Sequence, residues 1–205
     1  IKFSKTNQLM RQLNQDSFNN DRNTILAQDA FTFVRWQNPD TYDVIIKDFP
    51  EGVNQVLAKS LSYEFFRDLN RILKKDGILV VHSDTYDTQS FWSIVKSLKK
   101  AGFMYIIPID DNYYFNDFFE GIIIVSNKPF DFSKLNENDC TSFLIKQGIL
   151  PPIDKLIEVS NPYYISNNIN LQNAKVNSIY KLNYLDQRRK EFGFLFPLEF
   201  EIGSY

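Results

Sequence analysis

Residues 42–52 decide the fold of this chain and read Tyr42-Asp43-Val44-Ile45-Ile46-Lys47-Asp48-Phe49-Pro50-Glu51-Gly52. A run of apolar, mostly β-branched residues ends in an acid and then in Pro-Glu-Gly, which predicts a buried strand that delivers a carboxylate into a turn. In open α/β sheets, ligands bind beyond the carboxyl ends of the strands, because the loops converge there while the strands hold them rigid. Asp48 is therefore the first candidate for a catalytic residue.

Composition sets the broad class of the protein. A chain of 205 residues, 43% hydrophobic, can bury a full core, and its length favours one domain with a small appendage. The net charge is −2 with no long cationic run, so we predict no nucleic-acid partner. A single cysteine, Cys140, excludes an internal disulfide and fits a reducing, cytoplasmic location. No apolar run reaches the roughly 18 residues of a membrane span.

Two helices and a strand are predicted before the central stretch. Apolar residues at near-helical spacing predict a surface helix over 4–18, and a short strand over 24–28 ends at Asp29. A further short helix is predicted over 30–37. The apolar residues that give the first helix its spacing are Leu9, Met10, Leu13 and Phe18, and the side chains expected to face inward in the second are Phe31, Val34 and Trp36.

After the central stretch, strands and helices alternate. The clearest helix is predicted over 60–75, with Lys74-Lys75-Asp76-Gly77 supplying cations for its carboxyl end and a glycine stop. A buried strand follows over 78–82, and a second helix over 88–101 ends at Gly102. Two more strands are predicted over 103–109 and 121–126. The inward residues of the two helices are Leu61, Phe65, Phe66, Leu69, Ile72 and Leu73, and Phe91, Trp92, Val95 and Leu98.

This alternation predicts an α/β fold with a mostly parallel sheet and helices on both faces. No helix is predicted between the last two strands, so they form an antiparallel pair at one edge. Beyond residue 130 the composition becomes Asn-rich and the alternation stops. We therefore predict a main domain over 1–130 and a C-terminal extension over 131–205, with one helix near 139–146.

Every predicted strand on the functional edge ends near an acid. Such a rim lowers the potential of a crevice and attracts a cationic ligand. The alternative is that Asp precedes helices because it caps them. No compact Asp-x-Asp spacing indicates a hard-metal site, so we predict no metal. The rim acids are Asp29, Asp48, Glu51, Asp84, Asp87, Asp110 and Asp111.

Three further features narrow the function. His82, the only histidine, ends an apolar strand and is either a packed residue or a group of the functional rim. The aromatic residues over 113–119 either cover a pocket or cover the core at the sheet edge. None of the 7 glycines forms a G-x-G-x-x-G or P-loop array, so no phosphate-binding loop is predicted.

Several short stretches carry a family resemblance. In their order and spacing they resemble the polyamine aminopropyltransferases, the spermidine synthase family, and they are most similar to a bacterial subgroup with an extra membrane-embedded N-terminal region. The resemblance covers about residues 5–130, and Val176-Asn177 lies in a tail similar to that subgroup's end. The stretches are Leu13-Asn14-Gln15, Asp21-Arg22, Gln28-Asp29-Ala30-Phe31, residues 42–51, Phe91-Trp92-Ser93-Ile94-Val95 and Ala101-Gly102-Phe103.

The resemblance implies a Rossmann-like fold of the class I methyltransferase type. It also implies transfer of an aminopropyl group from decarboxylated S-adenosylmethionine to a diamine such as putrescine, which gives spermidine. Asp48 resembles the family's catalytic acid, and Glu51 stands at the second acid of its Asp-x-x-Asp-Pro turn. Asp29 and Ala30 resemble the pair whose acid holds the adenine amino group, and with Pro50 they are expected to bind the donor. The expected amine-binding residues are Glu51, His82, Asp84 and Asp87.

The sequence departs from the family pattern in several places. Gly52 replaces the proline of the turn, Leu61 falls where a substrate-contacting tyrosine is usual, and His82 stands in for a glutamine. The family's glycine-rich first strand and the acid that closes its second strand have no counterpart in this chain. By resemblance they would precede Ile1.

These departures leave alternatives open. The chain is either the latter part of a longer enzyme or a natural remnant that binds without catalysing. A third interpretation is a methyltransferase acting on a small amine, which shares the fold. The resemblance further implies a polyamine as the small-molecule partner, membrane attachment through a region absent from this chain, and a homodimer.

Overall fold

The structure is a computed structural model that describes residues 1–49, 55–83, 88–110, 121–131, 154, 158 and 169–192. By its internal contacts the chain forms two compact units, Ile1–Trp36 and Gln37–Tyr205. The helices described here are α1 (Lys2–Thr6), α2 (Gln8–Leu13), a 3₁₀ turn (Ser17–Asn19), α3 (Ala30–Trp36), α4 (Gln55–Lys59), α5 (Tyr63–Ile72), α6 (Gln89–Lys100), α7 (Ile169–Asn173) and α8 (Asn183–Phe192). The strands are β1 (Tyr42–Lys47), β2 (Leu73–Ser83), β3 (Tyr105–Asp110) and β4 (Gly121–Ser126).

The four described strands form one mixed sheet in the order β1-β2-β4-β3. β1 and β2 are parallel, whereas β4 is antiparallel to both β2 and β3. β1, β2 and β3 therefore run in one direction and β4 runs against them. The predicted α/β fold, with an antiparallel pair at one edge of the sheet, is confirmed.

The first unit contains shorter helices than the sequence predicts. α1 and α2 separate at Asn7, whose side-chain oxygen accepts a hydrogen bond from the Met10 N–H at 3.1 Å and so caps a new helix. The prediction of one helix over 4–18 is therefore wrong. Leu9 and Leu13, two of the apolar residues of this segment, are exposed.

The strand predicted over 24–28 is also wrong. This segment has no regular secondary structure, and its Leu26 is exposed. A strand needs a neighbour to satisfy its backbone groups, and no described strand is paired with this segment. α3 confirms the helix predicted over 30–37, with Val34 buried, but Trp36 at its last turn is 82% exposed and does not face inward.

β1 confirms the central strand, although Lys47 is its one buried residue. Val44 and Ile46 point to one face and are 55% and 72% exposed, whereas Lys47 on the opposite face is buried. β1 lies at the end of the described sheet, with β2 as its one described neighbour. The prediction of a buried strand is therefore wrong for most of β1, because the described residues leave one face of this edge strand open.

β2 is longer than the predicted strand over 78–82. It begins directly after α5, so the segment Lys74-Lys75-Asp76-Gly77 belongs to a strand and does not end a helix. Gly77 permits a close approach, because a Cβ atom there would lie 2.7 Å from the Leu73 side chain and 3.0 Å from the Asp43 carbonyl. Lys74 pairs with Asp43 across the two strands at 2.8 Å.

α5 and α6 confirm the helical cores of the segments predicted over 60–75 and 88–101. Each begins at a hydroxyl cap: Ser62 accepts a hydrogen bond from the Phe65 N–H, and Thr88 accepts one from the Phe91 N–H. Gly102 follows α6 with a φ of 102°, a backbone conformation that favours glycine. The side chains predicted to face inward are all buried: Leu61, Phe65, Phe66, Leu69, Ile72, Leu73, Phe91, Trp92, Val95 and Leu98.

The described part of the tail packs against α6. Ser93 donates a hydrogen bond to the Lys175 carbonyl at 2.6 Å, and Lys96 donates one to the Ala174 carbonyl at 2.6 Å. The helix predicted over 139–146 lies outside the described residues, and the boundary predicted at residue 130 stays a prediction.

Asn177 joins this tail to the core. Its side-chain amide donates to the Ala58 carbonyl at 2.8 Å, and its side-chain oxygen accepts from the Tyr184 N–H at 3.2 Å. Its backbone N–H donates to the Ser97 hydroxyl, and its carbonyl accepts from the Tyr63 N–H. The fully buried Asn177 therefore forms hydrogen bonds with residues of four helices, α4, α5, α6 and α8.

Candidate functional site

The carboxyl ends of β1, β2 and β3 meet at one edge of the sheet. The register places Ser83 at the end of β2 and Asp110 at the end of β3 on either side of Gly121, the first residue of β4. Lys47, the last residue of β1, pairs with Val81 of β2. The residue that follows it, Asp48, therefore lies at the edge where ligands bind in such sheets.

Asp48 and His82 are two predicted site residues that the structure brings into contact. His82 Nδ1 lies 3.1 Å from Asp48 Oδ1. An ionised carboxylate can only accept hydrogen bonds, so any hydrogen bond between these two groups would be donated by Nδ1. The side chain of His82 is 29% exposed and that of Asp48 is 76% exposed. The carboxylate is thus open to a ligand, while the imidazole that contacts it is largely enclosed.

Lys47 is a buried cation beside this pair. Its side chain is 5% exposed, and burial lowers its pKa from 10.5 to about 8, although the negative charge of Asp48 acts in the opposite direction. Its Nζ lies 4.8 Å from the centroid of the Phe49 ring. Lys47 is not among the site residues predicted from the sequence. The signal that could have found it is a charged residue at a position where the strand alternation predicts an inward side chain.

Asp29 caps α3. Its carboxylate accepts a hydrogen bond from the Thr32 N–H at 2.8 Å, and this bond lowers the pKa of Asp29 below its usual value. Ala30 is the first residue of the same helix. The alternative that an acid of the predicted rim caps a helix therefore applies to Asp29, and donor binding by Asp29 and Ala30 stays a prediction.

Several predicted residues lie outside the described part of the chain. The backbone of Asp110 completes β3 at the edge of the sheet. The predicted residues that lie outside the described part are Pro50, Glu51, Asp84, Asp87, Asp111 and the aromatic residues over 113–119.

The described residues also bear on metal binding and on membrane insertion. No group of three or more His, Cys, Asp or Glu side chains in the described ranges could hold a metal ion. Among the helices that the structure describes, none combines the length and the apolar composition needed to cross a membrane.

The chain is similar in sequence to known proteins. Residues 1–114, more than half of the chain, match the family profile of the spermine/spermidine synthase domain. The chain belongs to the spermine/spermidine synthase family. The resemblance inferred from the sequence is thereby confirmed.

Two relatives and one solved structure illustrate the similarity. Polyamine aminopropyltransferase 2 of Aquifex aeolicus is 33% identical over 184 residues, which are 88% of this chain and 34% of that protein. Polyamine aminopropyltransferase 1 of Streptomyces coelicolor is 36% identical over 104 residues, which are 50% of this chain and 19% of that protein. This spermine/spermidine synthase family chain thus matches at most about a third of the length of either relative.

The structural similarity supports the fold. A probable spermidine synthase from Corynebacterium glutamicum aligns with a TM-score of 0.57 at 19% identity, over 83% of this family member and 60% of that chain. At this identity the alignment supports the Rossmann-like fold alone.

Proposed function

We propose that the protein containing this chain transfers an aminopropyl group from decarboxylated S-adenosylmethionine to a diamine, with Asp48 as the proton acceptor. Membership of the spermine/spermidine synthase family and the names of the relatives support the reaction class. The observation that carries the proposal for this chain is the open carboxylate of Asp48, contacted by His82 at the carboxyl end of β1.

The chemistry requires a base near the amine. An alkyl ammonium with a pKa near 10.4 is neutral in only about one of a few thousand molecules at pH 7, yet only the neutral amine has a lone pair. That lone pair attacks the aminopropyl carbon next to sulfur, and the carbon–sulfur bond breaks with its electrons passing to sulfur. The sulfonium becomes a neutral thioether, and the proton that the ammonium must lose before the attack passes to Asp48.

His82 supports this chemistry by orienting the carboxylate. His82 Nδ1 lies 3.1 Å from one oxygen of Asp48, so the other oxygen can face the amine. Donor binding by Asp29, Ala30 and Pro50, and amine binding by Glu51, Asp84 and Asp87, are further parts of the proposal. Membrane attachment through a region absent from this chain, a homodimer and a cytoplasmic location remain predictions of the resemblance.

Product analysis tests the reaction. The whole protein is incubated with putrescine and either decarboxylated S-adenosylmethionine or S-adenosylmethionine, and the amines are identified by mass spectrometry. We expect spermidine from the decarboxylated donor. A methylated putrescine from the other donor would favour the methyltransferase alternative, and no product from either donor would favour a module that binds without catalysing.

Substitution of His82 tests its orienting contact. His82→Gln keeps an amide donor at the place where the family has glutamine, so we expect kcat to stay within about threefold of the wild type. His82→Ala removes this polar contact with a charged group, which predicts a loss of kcat of about tenfold. Steady-state kinetics of the two variants measure the difference. If His82→Ala turns over as fast as the wild type, the imidazole does not orient Asp48.

A further inference from the structure

Lys47 forms a chain of contacts from the end of β1 to α5. Its buried Nζ lies 4.8 Å from the centroid of the Phe49 ring. The Phe49 ring packs against the ring of Phe65 on α5, with centroids 6.3 Å apart and planes inclined at 31°. A cation at this distance from an aromatic face is attracted to it, and the attraction is stronger when the cation is removed from water.

The alternation of a strand connects this contact to the candidate site. Residues 47 and 49 point to one side of an extended segment, and residue 48 points to the other. Holding Lys47 and Phe49 together on the covered face therefore fixes the direction of Asp48 on the opposite face, where it contacts His82.

We propose that the Lys47 ammonium holds the Phe49 ring and thereby aims Asp48 at His82 and the amine, so that Lys47 is a positioning residue for the transfer reaction. This inference rests on the proposed function. It assigns a purpose to a buried charge that the aminopropyl transfer chemistry itself does not use.

Among the described residues, Asp48 is the charged group that acts on the Lys47 ammonium. His82 lies on the opposite face of β2, and Ser83, on the same face as Lys47, contributes an uncharged hydroxyl. Lys59 of α4 is exposed. The charged groups of α5 are engaged elsewhere: Glu64 with Ser178, Arg67 with Asp68, and Arg71 with the Gln37 carbonyl.

The contact should therefore depend on pH. The pKa of Lys47 is lowered to about 8, so the ammonium is present at pH 7 and largely lost at pH 9.5. The attraction to the Phe49 ring requires the charge. We expect the positioning effect to be full at pH 7 and to disappear as the pH rises through about 8.

Lys47→Met tests the inference in the whole protein, because methionine is unbranched and uncharged. At pH 7 we expect kcat to fall about tenfold, with the KM for the donor unchanged, because a desolvated cation–aromatic contact corresponds to roughly this factor. At pH 9.5 the wild type has lost the same charge, so the two kcat values should converge. Lys74→Met, which removes an exposed lysine of β2, is the matched control and should show the same ratio to the wild type at both pH values.

A second readout does not depend on turnover. The whole protein is labelled with 4-fluorophenylalanine, and the resonance of Phe49 is assigned as the one missing from Phe49→Leu. In the wild type the fluorine shift of Phe49 should change with a midpoint near pH 8, and in Lys47→Met this change should be absent. If Lys47→Met does not fold, the titration of the wild type alone decides whether the ammonium acts on the ring.

The outcomes separate this inference from the proposed function. If the wild type makes spermidine but the ratio of its kcat to that of Lys47→Met is the same at pH 7 and pH 9.5, the positioning role of Lys47 is overturned. The proposed function is not affected by that result. The absence of a change near pH 8 in the Phe49 resonance also overturns the positioning role. A wild type that makes no spermidine at any pH overturns the proposed function, and with it the link from Lys47 to catalysis.

Discussion

Asp48→Asn is expected to lower kcat about 10²–10⁴-fold while donor binding stays near that of the wild type, because general-base catalysis typically contributes this factor. Asparagine keeps the shape of the side chain and can still contact His82, but it cannot accept the proton of the attacking amine. The carboxylate of Asp48 is open to a ligand and follows a strand that is paired along one side with β2.

Steady-state kinetics of the whole protein, together with calorimetric titration of the donor, measure the two parts of this prediction. Asp43→Asn is the matched control, because Asp43 lies on the same strand and its exposed carboxylate pairs with Lys74. The control should keep kcat near the wild-type value. If Asp48→Asn keeps more than about a tenth of the wild-type kcat, another acid accepts the proton, and Glu51 is the next candidate.

Asn177→Ala is expected to lower the free energy of unfolding by about 2 kcal/mol, because two buried groups each lose a hydrogen bond, although the Ala58 carbonyl keeps the one that it accepts from the Leu61 N–H. These groups are the Ala58 carbonyl and the Tyr184 N–H, which bond to the Asn177 side chain at 2.8 and 3.2 Å. Both residues are almost wholly buried, so water cannot readily replace the lost amide. The loss should loosen the described tail from the core.

Urea unfolding followed by the fluorescence of Trp92 measures this effect, because Trp92 is buried on α6 near the tail. Gln172→Ala is the matched control, since it removes an exposed side chain from α7 in the same segment. The control should change the free energy of unfolding by less than about 0.5 kcal/mol. Equal effects of the two substitutions would show that the hydrogen bonds of the Asn177 side chain add no more to the free energy of unfolding than an exposed side chain does.

The parts of the fold that the sequence predicts well are those where burial and local capping agree. α5 and α6 combine an apolar face with hydroxyl caps at Ser62 and Thr88, so periodicity and start signals indicate the same helices. The antiparallel edge pair follows from the absence of a helix between two apolar runs. In these segments the local pattern is enough.

The errors occur where a contact that the apolar spacing does not reveal decides the local structure. The glycine at position 77 is a typical helix stop, but here it allows β2 to pass close to Asp43. Asn7 separates α1 from α2 by a side-chain hydrogen bond that the apolar spacing does not reveal. The segment over 24–28 has strand-forming residues but no described strand to pair with, so its propensity alone does not make it a strand.

The acid of the candidate site could be predicted from the sequence more fully than the residues around that acid. The end of the apolar run points to Asp48, and strand order brings His82 beside it, as the parallel pairing of β1 and β2 requires. The contact between Lys47 and Phe49 was not foreseen, because a lysine in a strand is usually assumed to reach solvent. Recognising it needs the position of the ring.

The central claim is that Asp48 accepts the proton of the attacking amine, and single-turnover rates at two pH values test it most directly. The wild type and Asp48→Asn are saturated with decarboxylated S-adenosylmethionine and putrescine, and spermidine formation is followed at pH 7 and pH 10. The neutral fraction of an amine with a pKa near 10.4 rises from about one in 2,500 to nearly one in three over this range. The deficit of Asp48→Asn should therefore be about 10²–10⁴-fold at pH 7 and shrink at least tenfold at pH 10. A deficit that is the same at both pH values, or no deficit at all, would contradict the assignment.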